Sequence, residues 1–436
     1  EPCWKDGDDL IGVPIIQGCV CAGTKVWTST GDLKNIEDLK KEDGIMGLNN
    51  QKASAEEITH FNPPNKKPCY RITTHTNNVL ECSEDHPILW SKNRHSYIQR
   101  ETIKGKREVI NRYKKVEFKE TKDIKKGDHV AIINAVSTFN NEPIWQPRLV
   151  GMLIGDGSYG FDKTPVLSNC DKEILNYTES NFDTVVEKSY LTKNNKVYKE
   201  LRIKGICEEL RTLGIYGQTK KAKRLPKQIF RASKKDVCEL LAGIIDTDGC
   251  VRVTKSKTVA VTISSISKDL IEDIKYLFVK LGVHGSIQKV NPSKAKKRIK
   301  DVNPYYNLHI SDITSVFNIA KNINLLVGYK KERLNTIFNR KEIEGDFTKK
   351  VFVKKSDKDK RYLELTDVEG IKFEIVKSIE YIGEKDIYNL TAGTTHTYIA
   401  NNIVTHNTGG DMEGGTQEFA EMFFNPDKYN FLAFDN

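Results

Sequence analysis

The stretch His396–Thr408, HTYIANNIVTHNT, decides how the rest of the chain is read. Two β-prone runs, TYIA and IVTH, flank Asn401-Asn402, and asparagine tolerates the positive φ of a tight type I′ turn, so the spacing predicts a two-residue β-hairpin. Just past it, His406-Asn407-Thr408 places three chemical groups on consecutive residues: an imidazole for proton transfer, a side-chain amide able to attack its own backbone carbonyl, and a hydroxyl nucleophile. Alone, such a triplet is most often a polar turn closing a strand. It becomes chemistry only with a partner elsewhere in the chain.

The chain is large enough to hold one. Its 436 residues include 38% hydrophobic ones, sufficient for two or three globular cores. With 69 Lys+Arg against 59 Asp+Glu, the net charge of +10 suits a polyanionic partner. Nine scattered cysteines, an odd number, and an acidic start (EPCWKDGDDL) without an apolar run lead us to expect free thiols in a reducing, cytoplasmic setting, in a bacterial or phage-infected cell. No window is apolar enough for a membrane helix, so a soluble monomer without a membrane partner is expected.

Taken in order, residues 1–18 and 408–436 read as short polar flanks without cores of their own. Residues 19–140 are strand-rich, with turns such as Thr30-Gly31-Asp32. The pattern changes in 141–345. LVGMLIGDG at 149–157 places Gly151 and Gly155 at i and i+4 on an apolar run that ends in an acid, and LAGIIDTDG at 241–249 repeats the design some ninety residues later. Strand-like and amphipathic helical segments follow each run, predicting an internal repeat of α+β halves. Residues 346–407 become strand-like again.

A partner for the closing triplet stands at Cys19. Its thiol can attack the carbonyl of Gly18, where glycine offers least steric resistance. Ser83-Glu84-Asp85-His86 adds a hydroxyl and an imidazole able to polarise that bond and protonate its nitrogen. Cys19-Val-Cys-Ala-Gly-Thr, Ser83-x-x-His86-Pro87 and His396…Val404-Thr405-His406-Asn407-Thr408 together resemble an intein, a self-splicing insert spanning 19–407. That resemblance implies an all-β horseshoe-like splicing fold of the Hint type, discontinuous in sequence. It implies that Cys19 forms a thioester, Thr408 attacks it, Asn407 cyclises, His396 and His406 assist, and Gly18 is joined to Thr408, with no cofactor and with the flanking extein segments as partners. Cys21 offers an alternative start, although Cys19 keeps Gly23-Thr24 at the family's usual distance. Ser83 replaces the family's usual Thr, and Tyr388-Asn389 stands where an Asp commonly follows the Tyr. Cys19, Cys21, Cys82 and His86 also form a zinc-type donor set, at spacings unlike a zinc finger.

The two acid-ended runs resemble the paired motifs of LAGLIDADG homing endonucleases. By that resemblance Asp156 and Asp248 are the metal ligands, binding Mg²⁺ and each cutting one strand of double-stranded DNA at the host gene's insertion site. Lys223 aligns with a family lysine near the scissile phosphate, and Lys330 or Lys331 is its counterpart in the other half. The basic clusters at 219–227 and 289–300 would supply phosphate affinity. Two alternatives are a splicing-competent intein whose endonuclease only binds DNA, and a zinc-stabilised DNA-binding protein. Joined across the insert, the flanks (…IIQG–TGGDMEGG…FFNPDKYN) resemble part of a phage terminase large subunit and carry no GxxxxGK loop.

Overall fold

The computed structural model describes residues 18–49, 52–99, 108–255, 258–291, 304–339, 354–355, 363–366, 370–393 and 395–407. Residues 1–17 and 408–436, Thr408 among them, and most of the basic cluster at 289–300 lie outside them. The chain divides into two compact units, one from 1–136 with 346–436 and the other from 137–345.

The first unit is built on a 13-stranded sheet. Its spine runs from the short strand Val20–Cys21 through Val79–Ser83, Ile58–Thr74, Ile371–Ala392, His129–Ile133, Ile403–His406, Pro87–Gln99 and Glu108–Glu120. Sequence-distant segments therefore sit side by side: Ile371–Ala392 pairs antiparallel along nearly the whole of Ile58–Thr74. The expected hairpin is present, with Thr397↔His406, Tyr398↔Thr405, Ile399↔Val404 and Ala400↔Ile403 in register. Asn401 and Asn402 take φ of 48° and 68°, the left-handed pair a type I′ turn demands. Their side chains tie the turn inward: Asn401 Oδ1 accepts the Lys25 N–H at 2.8 Å, and Asn402 Oδ1 accepts Trp27 Nε1–H at 2.9 Å. One apolar core, including Val26, Ile72, Leu80, Ile132, Leu390 and Tyr398, lies beneath these strands.

The second unit is α+β. Helices Pro147–Asp156 and Lys234–Asp248 each lead directly into a four-stranded antiparallel sheet. Proline in the first turn opens the first helix, and the Ser233 hydroxyl caps the second by accepting the Asp236 N–H at 3.1 Å. Arg148–Met152 lies against Leu240–Gly243, and Gly155 against Thr247–Asp248, so the helices run in parallel and end together. Contact is backbone on backbone: a Cβ on Gly151 would stand 2.1 Å from the Leu240 carbonyl oxygen, and one on Gly243 would stand 2.3 Å from that of Arg148. This is the close approach that the small residues foretold. The unit begins at Ser137, where Lys280 Nζ donates to the Thr138 carbonyl at 2.5 Å and Arg231 pairs with Glu142 at 2.6 Å.

Candidate functional site

In the first unit the strand Val20–Cys21 lies between Val79–Ser83 and Ile371–Ala392, with Val20 facing Cys82 on one side and Tyr388 on the other. This fixes Cys19 in a buried position against Ser83. The Cys19 N–H donates to Ser83 Oγ at 3.0 Å, while the Ser83 hydroxyl donates to Asp85 Oδ1 at 2.5 Å. Lys67 Nζ holds the other oxygen of Asp85 at 2.6 Å. Burial pushes the Cys19 thiol up to about 12, opposed by the Lys67 ammonium. It is Cys19, not Cys21, that meets Ser83; Cys21 packs against the Cys69 thiol.

Gly18 has φ of +77°, and a Cβ there would stand 2.6 Å from Pro87 Cδ and 3.3 Å from His86 Nδ1, so the His86 ring lies against Gly18. His86 is fully buried and, among the described residues, neither ring nitrogen has a hydrogen-bond partner. Burial lowers it to about 4, opposed by the Gly18 backbone and the Asp85 carboxylate. At neutral pH it is therefore an uncharged base.

The other end of the chain arrives on an adjacent strand. Thr405 pairs with Ile88, two residues after His86, and the Tyr398 ring lies 6.2 Å from that of His86. His396 and His406 have ring centroids 6.0 Å apart, and the His396 carbonyl accepts the Asn407 N–H at 2.7 Å. His406 is lowered to about 4 by burial and then by His396. The Asn407 side chain is fully buried, and among the described residues neither its Oδ1 nor its Nδ2 has a hydrogen-bond partner. Asn389 is also buried, in the strand beside Cys21.

The zinc-type donor set of Cys19, Cys21, Cys82 and His86 does not gather into one site. Among the described residues no three His, Cys, Asp or Glu side chains gather as metal ligands. Cys82 Sγ instead meets Thr121 Oγ1 at 3.2 Å, and Cys69 Sγ approaches the Lys67 carbonyl at 3.2 Å.

In the second unit Asp156 and Asp248 end the two parallel helices. Asp248 is raised to about 6 by burial and then by Asp156, with Lys223 and Lys330 opposing. Asp156 is raised too, chiefly by burial, although Asn169 Nδ2 donates to it at 2.6 Å. It faces a cavity of about 470 Å³ whose lining includes Asn169, Asp171, Lys330 and Arg333. Asp246, two residues before Asp248, is spoken for: it accepts the N–H groups of Leu326 and Val327 at 3.0–3.1 Å and faces Arg148 at 3.5 Å.

Lys223 and Lys330 are both buried. The Nζ of Lys223 donates to the carbonyls of Ile154, Gly155 and Gly157 at 2.6, 3.1 and 3.1 Å. Lys330 does the same at the other helix end, reaching the carbonyls of Ile245 and Asp246 at 3.0 and 2.6 Å. Lys331 is exposed, so the counterpart of Lys223 is Lys330. Each cation satisfies orphan carbonyls at a helix C-terminus, where positive charge is favoured, and the same charge stands beside the aspartates. Arg224, in the same basic cluster, is engaged with Asp273 by two bonds of 2.6 and 2.7 Å. Lys67 and Asp85 of the first unit, and this capping role of the lysines, were not foreseen from sequence; Asp85 adjoins the Ser83-x-x-His86 pattern, whereas nothing local marks Lys67.

Residues 26–407 match the family described as Intein splicing domain. The chain belongs to this family. Protein splicing by such inteins is autocatalytic. Among curated proteins this intein is similar to ATP-dependent DNA helicase Hel308 of Methanocaldococcus jannaschii, at 24% identity over 74% of this chain and 26% of the helicase. It is also similar to the tRNA-splicing ligase RtcB of Pyrococcus furiosus (25% identity, 84% of this chain and 43% of the ligase) and to the replicative DNA helicase DnaB of a Nostoc species (22%, 90% and 49%). The chain thus spans about a quarter to a half of the length of these relatives. A crystal structure of a mutant Ssp DnaB mini-intein aligns with 90% of this chain and 99% of its own at 8% identity and a TM-score of 0.25.

Proposed function

We propose that residues 19–407 excise themselves and join Gly18 to Thr408. The observation that carries this reading is the meeting of both ends around His86: Gly18 and Cys19 on one side, and the strand ending in His406-Asn407 on the other. The Cys19 sulfur bonds to the Gly18 carbonyl carbon, the Gly18–Cys19 C–N bond breaks, and the thiol proton passes by way of neutral His86 to the freed amine. Thr408 then takes the acyl group from sulfur. The Asn407 amide nitrogen attacks its own carbonyl, releasing Thr408 as an amine beside His396 and His406, and an oxygen-to-nitrogen shift leaves the native peptide. The relatives carry names as unlike as helicase and RNA ligase, which supports a movable insert as the shared part. In reducing buffer, gel and mass analysis of the purified chain tests the reading; Cys19→Ala is expected to abolish ligation.

The second unit fits a LAGLIDADG-type DNA endonuclease with Asp156 and Asp248 as its metal-binding pair. Two desolvated carboxylates of raised pKa, flanked by buried lysines, are a hard oxygen donor set suited to Mg²⁺, which commonly takes one or two carboxylates and completes its shell with water and phosphate. Bound there, Mg²⁺ would supply Lewis-acid activation of water and phosphodiester. Lys223 and Lys330 would hold the aspartates in place from the helix ends. The expected substrate is double-stranded host DNA uninterrupted at the insertion site, and the flanks' likeness to a phage terminase large subunit names the candidate gene. Incubating the excised insert with Mg²⁺ and that DNA tests this. Cutting that survives Asp248→Asn would contradict the metal assignment, and binding without cutting would favour a DNA-binding-only module.

A further inference from the structure

The splicing chemistry above uses Ser83 and His86 and gives Asp85 and Lys67 no task, although both are held firmly. Asp85 receives two side-chain donors, the Ser83 hydroxyl at 2.5 Å and Lys67 Nζ at 2.6 Å, and the Gly18 backbone beside it favours its charged form. Ser83 Oγ in turn receives the Cys19 N–H at 3.0 Å. The amide to be cleaved therefore reaches the carboxylate through one hydroxyl, with the Gly18 backbone beside the same carboxylate. Serine has one hydroxyl proton, and giving it to Asp85 leaves a lone pair for the Cys19 N–H. Lys67 is set by its own strand, where Lys67 pairs with Lys385 and Cys69 with Ser83. The pair is only about one-fifth exposed, with side-chain accessibilities of 21% and 20%, so its bonds are weakly screened.

We propose that Asp85 and Lys67 are positioning residues of the upstream junction. Through the Ser83 hydroxyl the carboxylate holds the Cys19 amide beside Gly18, whose φ is +77°, and aims that amide for attack, and the ammonium holds the carboxylate in place. The bonds made and broken remain those of the thioester step, so no co-reactant is needed. The Asp85 carboxylate fits this role: burial raises it, but Lys67 and Ser83 outweigh burial and hold it below the usual carboxylate value. The inference rests on the reading of Gly18–Cys19 as the upstream splice bond.

The test uses the full chain carrying Asn407→Ala, in which the downstream bond stays closed and dithiothreitol releases the upstream flank only through the thioester. The isosteric Asp85→Asn is expected to slow release about ten- to hundred-fold, the worth of a hydrogen bond to a charged group. Lys67→Met is expected to act likewise, and Lys67→Arg to recover most of the rate. Asparagine cyclisation, followed as loss of the downstream flank from a Cys19→Ala chain, is expected to change less than about two-fold on adding Asp85→Asn, as for separated sites. Release at the parent rate in Asp85→Asn overturns the inference and leaves the splice-bond reading intact, and equal slowing of both reactions also overturns it. No release from the Asn407→Ala parent overturns the splice-bond reading and the inference together. Should Asp85→Asn not fold, Lys67→Met against Lys67→Arg decides, and equal rates there count against the proposal.

Discussion

At Gly18 an added methyl would meet Pro87 Cδ at 2.6 Å, in a backbone conformation that L side chains rarely adopt. The left-handed region alone costs a non-glycine residue about 1–2 kcal/mol. Gly18→Ala is therefore expected to displace the scissile carbonyl from His86 and to slow thioester formation about ten-fold or more, measured as thiol-induced release of the upstream flank. His86 and His406 give a pH prediction. Both are held near 4, below the ordinary 6.5, so their contribution to stability is present above pH 6.5 and is lost as pH falls through 4. The urea midpoint of a splicing-dead Cys19→Ala/Asn407→Ala chain should drop across that window, and His86→Gln should flatten the drop. At this scale the sequence makes Ser83-x-x-His86 and His406-Asn407 conspicuous because their chemistry is local. The helix-end bonds of Lys223 were not legible, because a lysine in a basic run is ordinarily solvated and only the fold brings those carbonyls to it.

The helix pair of the second unit was legible because glycine spacing along one face is itself a packing instruction. Which carboxylate stays unsatisfied was harder, since Asp246 and Asp248 lie two residues apart; the backbone N–H groups of Leu326 and Val327 that claim Asp246 come from eighty residues away. Gly243→Val would drive a side chain into the Arg148 carbonyl and is expected to destabilise this unit by about 3 kcal/mol or more, read as a lowered denaturation midpoint. Asp248 carries the opposite prediction. Its folded value of about 6 lies above 3.8, so the folded state holds the proton more tightly, and stability present below pH 3.8 is lost as pH rises through 6. Asp248→Asn should then stabilise the unit above pH 6 by up to about 3 kcal/mol while abolishing DNA cutting. A variant both less stable and inactive would count against a site whose charge is kept at the expense of stability.

For the whole molecule, the least legible feature was the pairing of Ile58–Thr74 with Ile371–Ala392, strands separated by some three hundred residues. Period-two patterning marks each strand and says nothing about its partner. That pairing, with the insertion of a separate unit between its strands, accompanies the approach of Gly18 to His86 and of the strand Ile403–His406 to the strand that follows His86. The most direct measurement of this account is the intact mass of the purified chain after incubation in reducing buffer at neutral pH. The account predicts two products, a free 19–407 polypeptide ending in a cyclised asparagine and a peptide in which Gly18 is joined to Thr408. A chain that keeps its full mass, with Gly18 still bonded to Cys19 and Asn407 to Thr408, would contradict it.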